Sequence, residues 1–80
     1  MKIYWSGDSK NIIGEKVRAL RKAQGMTQKA LATKIQLAGY DFNDLTILRI
    51  ENGTRFVADY ELKVLAQVLN VTYEELLNNE

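Results

Sequence analysis

The sequence predicts an all-α domain built from five short helices. Three observations carry that expectation. Apolar residues recur three and four positions apart in successive segments, which is the period of a helix with one buried face. Capping residues and glycines punctuate these segments where helices start and stop. No stretch reads as a convincing sheet, no internal repeat occurs, and there is no proline anywhere in the chain.

Taken in order, Asn11 is placed to cap a first helix over Ile12 to Gln24. Ile13, Val17 and Leu20 face its core side, and Glu15, Lys16, Arg18 and Lys22 fall on the wet side. Arg21 lies four residues after Val17, on the flank of the buried stripe, where an unpaired cation is costly. Gly25 ends the helix in the usual left-handed position. Thr27 caps a second helix, Gln28 to Ala38, with Leu31, Ile35 and Ala38 as its apolar seam and Lys29 and Lys34 outward. Gly39 stops it, and Tyr40, Asp41 and Phe42 form a turn.

Asn43 is the expected N-cap of a third helix, Asp44 to Asn52, which ends at Gly53. Ile47 and Ile50 point inward and Glu51 sits beside them; Asp44, Leu45, Leu48, Arg49 and Asn52 point outward. After a loop from Thr54 to Ala58, Asp59 caps a fourth helix over Tyr60 to Leu69, with Leu62, Leu65, Ala66 and Leu69 inward. Thr72 and Glu75 form a T-x-x-E capping box that opens a last short helix through Leu76 and Leu77. The domain expected is therefore 12–78, preceded by an arm over residues 1–11. The arm's Ile3, Tyr4 and Trp5 either pack on the domain surface or pair as a short strand across a dimer, since an isolated strand is not stable in water.

Composition narrows the function. Eighty residues hold one core and no second one. The chain has no cysteine, hence no disulfide and no thiolate nucleophile, and no histidine, the commonest general base and metal ligand. No carboxylate constellation compensates, so no catalytic residue, metal site, cofactor or small-molecule ligand is expected, and the protein is not expected to be an enzyme. No apolar run approaches the roughly 20 residues that span a bilayer, and the N-terminus carries no secretion signal. A cytoplasmic protein is expected. The net charge of +1 makes the placement of the eleven basic residues more informative than their number.

The stretch from Thr27 to Thr54 reads as two short helices joined by a glycine-containing turn and closed by a second one. That is a helix-turn-helix, and double-stranded DNA is the expected partner. In such a motif the side chains near the start of the second helix meet base edges, here Asp44, Leu45, Leu48 and Arg49. Arg49 can donate two hydrogen bonds to guanine, Leu45 or Leu48 can touch a thymine methyl, and Asp44 can accept from cytosine. Gln28 and the free amides around it suit a phosphate, and Lys29, Thr54 and Arg55 flank the same side as further phosphate anchors. The competing expectation is that Leu45 and Leu48 are a second apolar flank, packed on Tyr40, Phe42 or another subunit. The 40–48 surface then becomes a protein-interaction module. Arg21 and Glu51, each on the flank of a buried stripe, are expected to form a partly buried ion pair that positions the third helix against the first. The triplets Asn52-Gly53-Thr54 and Asn70-Val71-Thr72 read as turn and cap chemistry rather than glycan acceptors.

The segments IIGEKVRALRKAQGMTQKALA, LRIENGTR and DYELKVLAQVLNVTYEELL resemble the phage repressor and Cro-like helix-turn-helix family, over Ile12 to Leu77. The resemblance implies a lambda-repressor-like five-helix bundle and a transcriptional regulator acting as a homodimer on palindromic sites. It implies a phosphate contact for Gln28, base-reading positions for Asp44, Leu45 and Arg49 with Leu48 beside them, and backbone phosphate contacts from Gly53 to Arg55. It also pairs Arg21 with Glu51. Three features depart from the pattern. The chain is longer between Leu31-Ala32 and Ile50-Glu51, as an extended second helix and a longer turn. The base-reading positions are more apolar and acidic than usual. The aromatic arm is additional.

Overall fold

A computed structural model describes residues 9–78. Among them are five helices and no strand: α1 (Gly14–Ala23), α2 (Gln28–Leu37), α3 (Asp44–Glu51), α4 (Asp59–Leu69) and α5 (Tyr73–Leu77). The aromatic arm around Ile3, Tyr4 and Trp5 lies outside the described residues.

One apolar core joins all five helices. Val17 of α1, Leu31 and Ile35 of α2, Ile47 and Ile50 of α3, Val64, Leu65 and Leu69 of α4, and Leu76 of α5 are all fully buried. Burial of each such side chain contributes on the order of 1.5–3 kcal/mol before chain entropy is counted. α2 and α3 pack closely on each other, with α1 and α4 behind them and α5 closing the far end against α4 and α1.

The helix ends follow local hydrogen-bonding rules. Thr27 accepts the Ala30 amide at 3.0 Å. Asn43 accepts the Thr46 amide at 2.9 Å, and Thr72 and Glu75 exchange reciprocal bonds of 3.0 Å each. Both N-x-T triplets are local chemistry: Asn52 Oδ1 accepts the Thr54 amide, while Asn70 takes the left-handed conformation that ends α4.

The structure corrects several expectations. α1 begins at Gly14 rather than Ile12, so Asn11 reaches forward over two bent residues to accept the Gly14 amide. α2 ends one residue early; Ala38 is exposed, and Ala32 is buried in the seam. Asp59 is the first residue of α4, not its cap. The N-cap is Ala58, whose amide donates to the Glu61 carboxylate at 3.0 Å; an alanine has no side-chain acceptor to return the bond. Glu61 is itself buried, because it also receives the Arg55 guanidinium. Val64 joins the core, whereas Leu62 is only half-buried.

The irregular stretch between α2 and α3, residues 38–43, is anchored by its aromatics. Phe42, expected only as a turn residue, is 3% exposed and fills the core. Gln36 of α2 donates its side-chain amide to the Phe42 carbonyl. Tyr40 stacks on Tyr60 of α4, with ring centroids 6.4 Å apart. Neither ring covers the outer face of α3: Leu45 and Leu48 stay 45% and 41% exposed.

Candidate nucleic-acid interface

α3 presents its outward face to solvent because Ile47 and Ile50 take the inward positions and the residues between them have nowhere else to go. That face carries Asp44, Leu45, Leu48 and Arg49; Asn52, expected to be its last residue, lies just past its end as the C-cap. Arg49 is exposed, and among the described residues its guanidinium meets no acid. Asp44 turns back on its own helix, its carboxylate accepting the Leu45 amide at 3.0 Å. This charge sits at the positive end of α3, where it is favourable, and is partly spent there.

Behind α3 lies a charged network. Arg21 Nε donates to Glu51 Oε2 at 2.7 Å, Nη2 donates to Oε1 at 3.1 Å, and Nη1 donates to the Met26 carbonyl at 2.8 Å. The two side chains are 9% and 4% exposed. The hydrogen bond to Glu51 holds the Arg21 guanidinium above its ordinary pKa, against the opposing effect of burial. Gln28 Nε2 donates to the same Glu51 carboxylate at 3.2 Å. One acid therefore links α1, the α1–α2 turn, the start of α2 and the end of α3. No buried side-chain nitrogen or oxygen among the described residues lacks a partner.

Gln28 thus stands at the mouth of a shallow groove of about 240 Å³, lined by Arg18, Arg21, Gln28, Leu48, Glu51 and Asn52. One amide hydrogen of Gln28 is engaged with Glu51, which leaves the other for an incoming group. Lys29 is exposed on the next position of α2. Thr54 is held in the turn after α3: its amide donates to the Arg49 carbonyl and its hydroxyl to Asn52 Oδ1.

Arg55, expected to anchor a phosphate, has its guanidinium in a two-pronged pair with Glu61, at 2.8 and 2.9 Å, and 5.6 Å from the centre of the Phe42 ring. The Arg55 bonds hold the Glu61 carboxyl below the ordinary carboxylate range, against burial. The pair neutralises the charge that a phosphate would meet.

No group of acids, cysteines or histidines among the described residues is arranged to hold a metal ion. No helix among the described residues is long and apolar enough to cross a membrane. A family model described as helix-turn-helix matches residues 17–76. The chain belongs to this helix-turn-helix family. No curated protein and no solved structure matches it.

Within the helix-turn-helix, α2 and α3 are the two helices of the motif, and the protein is a DNA-binding regulator of the repressor and Cro-like kind. The motif's surface brings together Gln28, Leu48 and Asn52 on one side, with Arg49, Leu45 and Asp44 along the outer face of α3. Arg18 was placed on the wet side of α1 with no role. It lies one turn before Arg21, and that spacing was the signal that it shares the groove's flank. The Arg55–Glu61 pair carried no such signal, since Glu61 reads as an ordinary exposed acid in the first turn of a helix.

Proposed function

We propose that this protein is a sequence-specific transcriptional regulator that lays α3 in the major groove and acts as a homodimer. The observation that carries this reading is the exposed face of α3. Arg49 stands there without an acidic partner, flanked by the start of α2. Arg49 reads guanine through two donors, Leu45 and Leu48 meet thymine methyls, and Asp44 accepts from cytosine. Gln28, Lys29, Thr54 and the backbone from Gly53 to Arg55 set the register on the phosphates, with Arg18 added to that set.

The test is selection from random duplex at two salt concentrations. An inverted repeat is expected among the enriched sequences, with half-sites spaced by about one helical turn, roughly 10 base pairs. Log affinity is expected to fall with log salt by about 0.9 for each phosphate neutralised, and Arg18 and Lys29 make that roughly −2 per protomer. Arg49→Ala is expected to weaken the selected site by about tenfold and to relax the preference at one position. Identical enrichment by wild type and Arg49→Ala would refute the readout, and a lone half-site would refute the dimer.

Leu45 and Leu48 also support a second reading, in which the same face binds a protein. They are 45% and 41% exposed on the outer face of α3. A salt slope near zero on random duplex, with a protein partner lost on Leu48→Asp, is the result that favours it.

A further inference from the structure

Asn11 has a buried side chain that the groove-binding surface does not use. The residue is 8% exposed, and its amide group spans three elements. Its Oδ1 accepts the Gly14 amide at 2.8 Å, at the start of α1. Its Nδ2 donates to the Ile50 carbonyl at 3.1 Å, in the last turn of α3, and to the Arg55 carbonyl at 2.8 Å, in the loop that follows. The backbone closes around it: the Lys10 amide donates to the Gly53 carbonyl at 2.7 Å, and the Ser9 hydroxyl donates to the Asn11 carbonyl at 2.6 Å. At Gly53 a Cβ would lie 2.4 Å from the Ser9 hydroxyl. Residues 9–11, assigned from sequence to an arm, therefore form a strap across the exit of α3.

We propose that Asn11 is a positioning residue for base reading. It sets the tilt of α3 against α1 and holds the 53–55 backbone in register with it. The proposal rests on α3 being the groove helix. The chemistry requires an amide, because one side chain must accept from an N–H and donate twice to carbonyls at the same time. An aspartate of the same shape keeps the bond to Gly14 but sets a carboxylate oxygen against two carbonyl oxygens. Those carbonyls belong to the end of the reading helix and to the loop beside it, so their displacement moves the groups expected on bases and phosphates. A misplacement of about 1 Å is enough to break a two-donor base contact while leaving charge attraction intact.

The experiment compares wild type, Asn11→Asp, Asn11→Ala and Arg49→Ala at a temperature where melting curves show each to be folded. The readout is the ratio of affinity for the selected duplex to that for random duplex, together with the salt slope. Asn11→Asp is expected to lower the ratio by about tenfold, while the slope stays at the wild-type value because no phosphate-facing cation is removed. Asn11→Ala, which removes the donors without adding charge, is expected to lower it in the same direction and serves if the aspartate variant does not fold. A folded variant that is less stable yet keeps the wild-type ratio overturns the proposal and leaves Asn11 a stability residue. An unchanged ratio for Arg49→Ala instead refutes the groove reading itself, and the proposal with it.

Discussion

Glu51→Ala is expected to destabilise the fold by about 3–5 kcal/mol, the range for removing one partner of a buried ion pair. The carboxylate accepts from Arg21 twice and from Gln28 once, in a site where both charged side chains are at least nine-tenths buried. Without it, Arg21 keeps only the Met26 carbonyl, and a cation remains buried with no opposing charge. A small domain has about 5–15 kcal/mol in total, so much of the population unfolds near physiological temperature. At roughly 4–8 °C per kcal/mol for this size, the melting temperature shift is large. Urea denaturation checks the value. Arg21→Met combined with Glu51→Leu is expected to recover most of the loss, since the cost lies in the orphaned charge rather than in the missing bond. A loss under about 1 kcal/mol for Glu51→Ala would show that the pair behaves as an exposed one and does not hold α3 in place.

Gly14→Ala is expected to cost about 3 kcal/mol, the upper part of the range for overpacking a close contact. Helix propensity argues the other way, by about 1 kcal/mol in favour of alanine. Sterics win because a Cβ at this position would sit 2.4 Å from the Ile50 carbonyl oxygen and 3.0 Å from that of Glu51. Both are backbone atoms of α3 and cannot swing aside as a side-chain tip would. The first turn of α1 must back away from α3, and the Asn11 bond to the Gly14 amide goes with it. Thermal denaturation of the variant checks the loss. An unchanged or raised melting temperature would show that the α1–α3 contact yields freely and that α3 is not held from behind.

The Arg55–Glu61 pair makes a pH dependence. Its carboxyl has a folded-state pKa below the unfolded value, so its contribution is fully present above the ordinary glutamate pKa, about 4.3. That contribution is lost as pH falls through the lower folded value. Melting temperature against pH is expected to drop more steeply below about pH 4 for wild type than for Glu61→Gln, which cannot titrate there. Parallel curves for the two proteins would remove Glu61 from the acid limb. Arg21 and Arg55 are both raised from an already high value, so neither adds an alkaline limb in the accessible range.

Much of this was legible residue by residue. The inward positions Val17, Leu31, Ile35, Ile47, Ile50, Leu65 and Leu69 follow from spacing alone, because a helix repeats its faces every three to four residues wherever it lies. Thr27, Asn43 and Thr72 were readable as caps because a cap bonds within three residues of itself. Arg21 and Glu51 were legible from a different rule: a charge on the edge of an apolar stripe needs its opposite, and each helix offered one.

Phe42 was not legible, since it lies between helices where no period assigns a face. The pairing of Arg55 with Glu61 was not legible, because an exposed-looking arginine in a loop is indistinguishable by spacing from one folded back on α4. Asn11 was expected only as the cap of α1, a position that Ile13 takes.

The sequence by itself determined that five helices form, which edge of each is apolar, and that α3 turns Asp44, Leu45, Leu48 and Arg49 away from the core. Those are properties of bonds and repeats a few residues long. Only the tertiary structure decided which cations are taken up by acids and what holds α3 at its angle. Asn11 meets Ile50 and Arg55 across 39 and 44 residues of chain, and no local pattern records a partner that distant. The packed core chooses such partners, by bringing α1, α3 and the loop after α3 within hydrogen-bond reach of one buried amide.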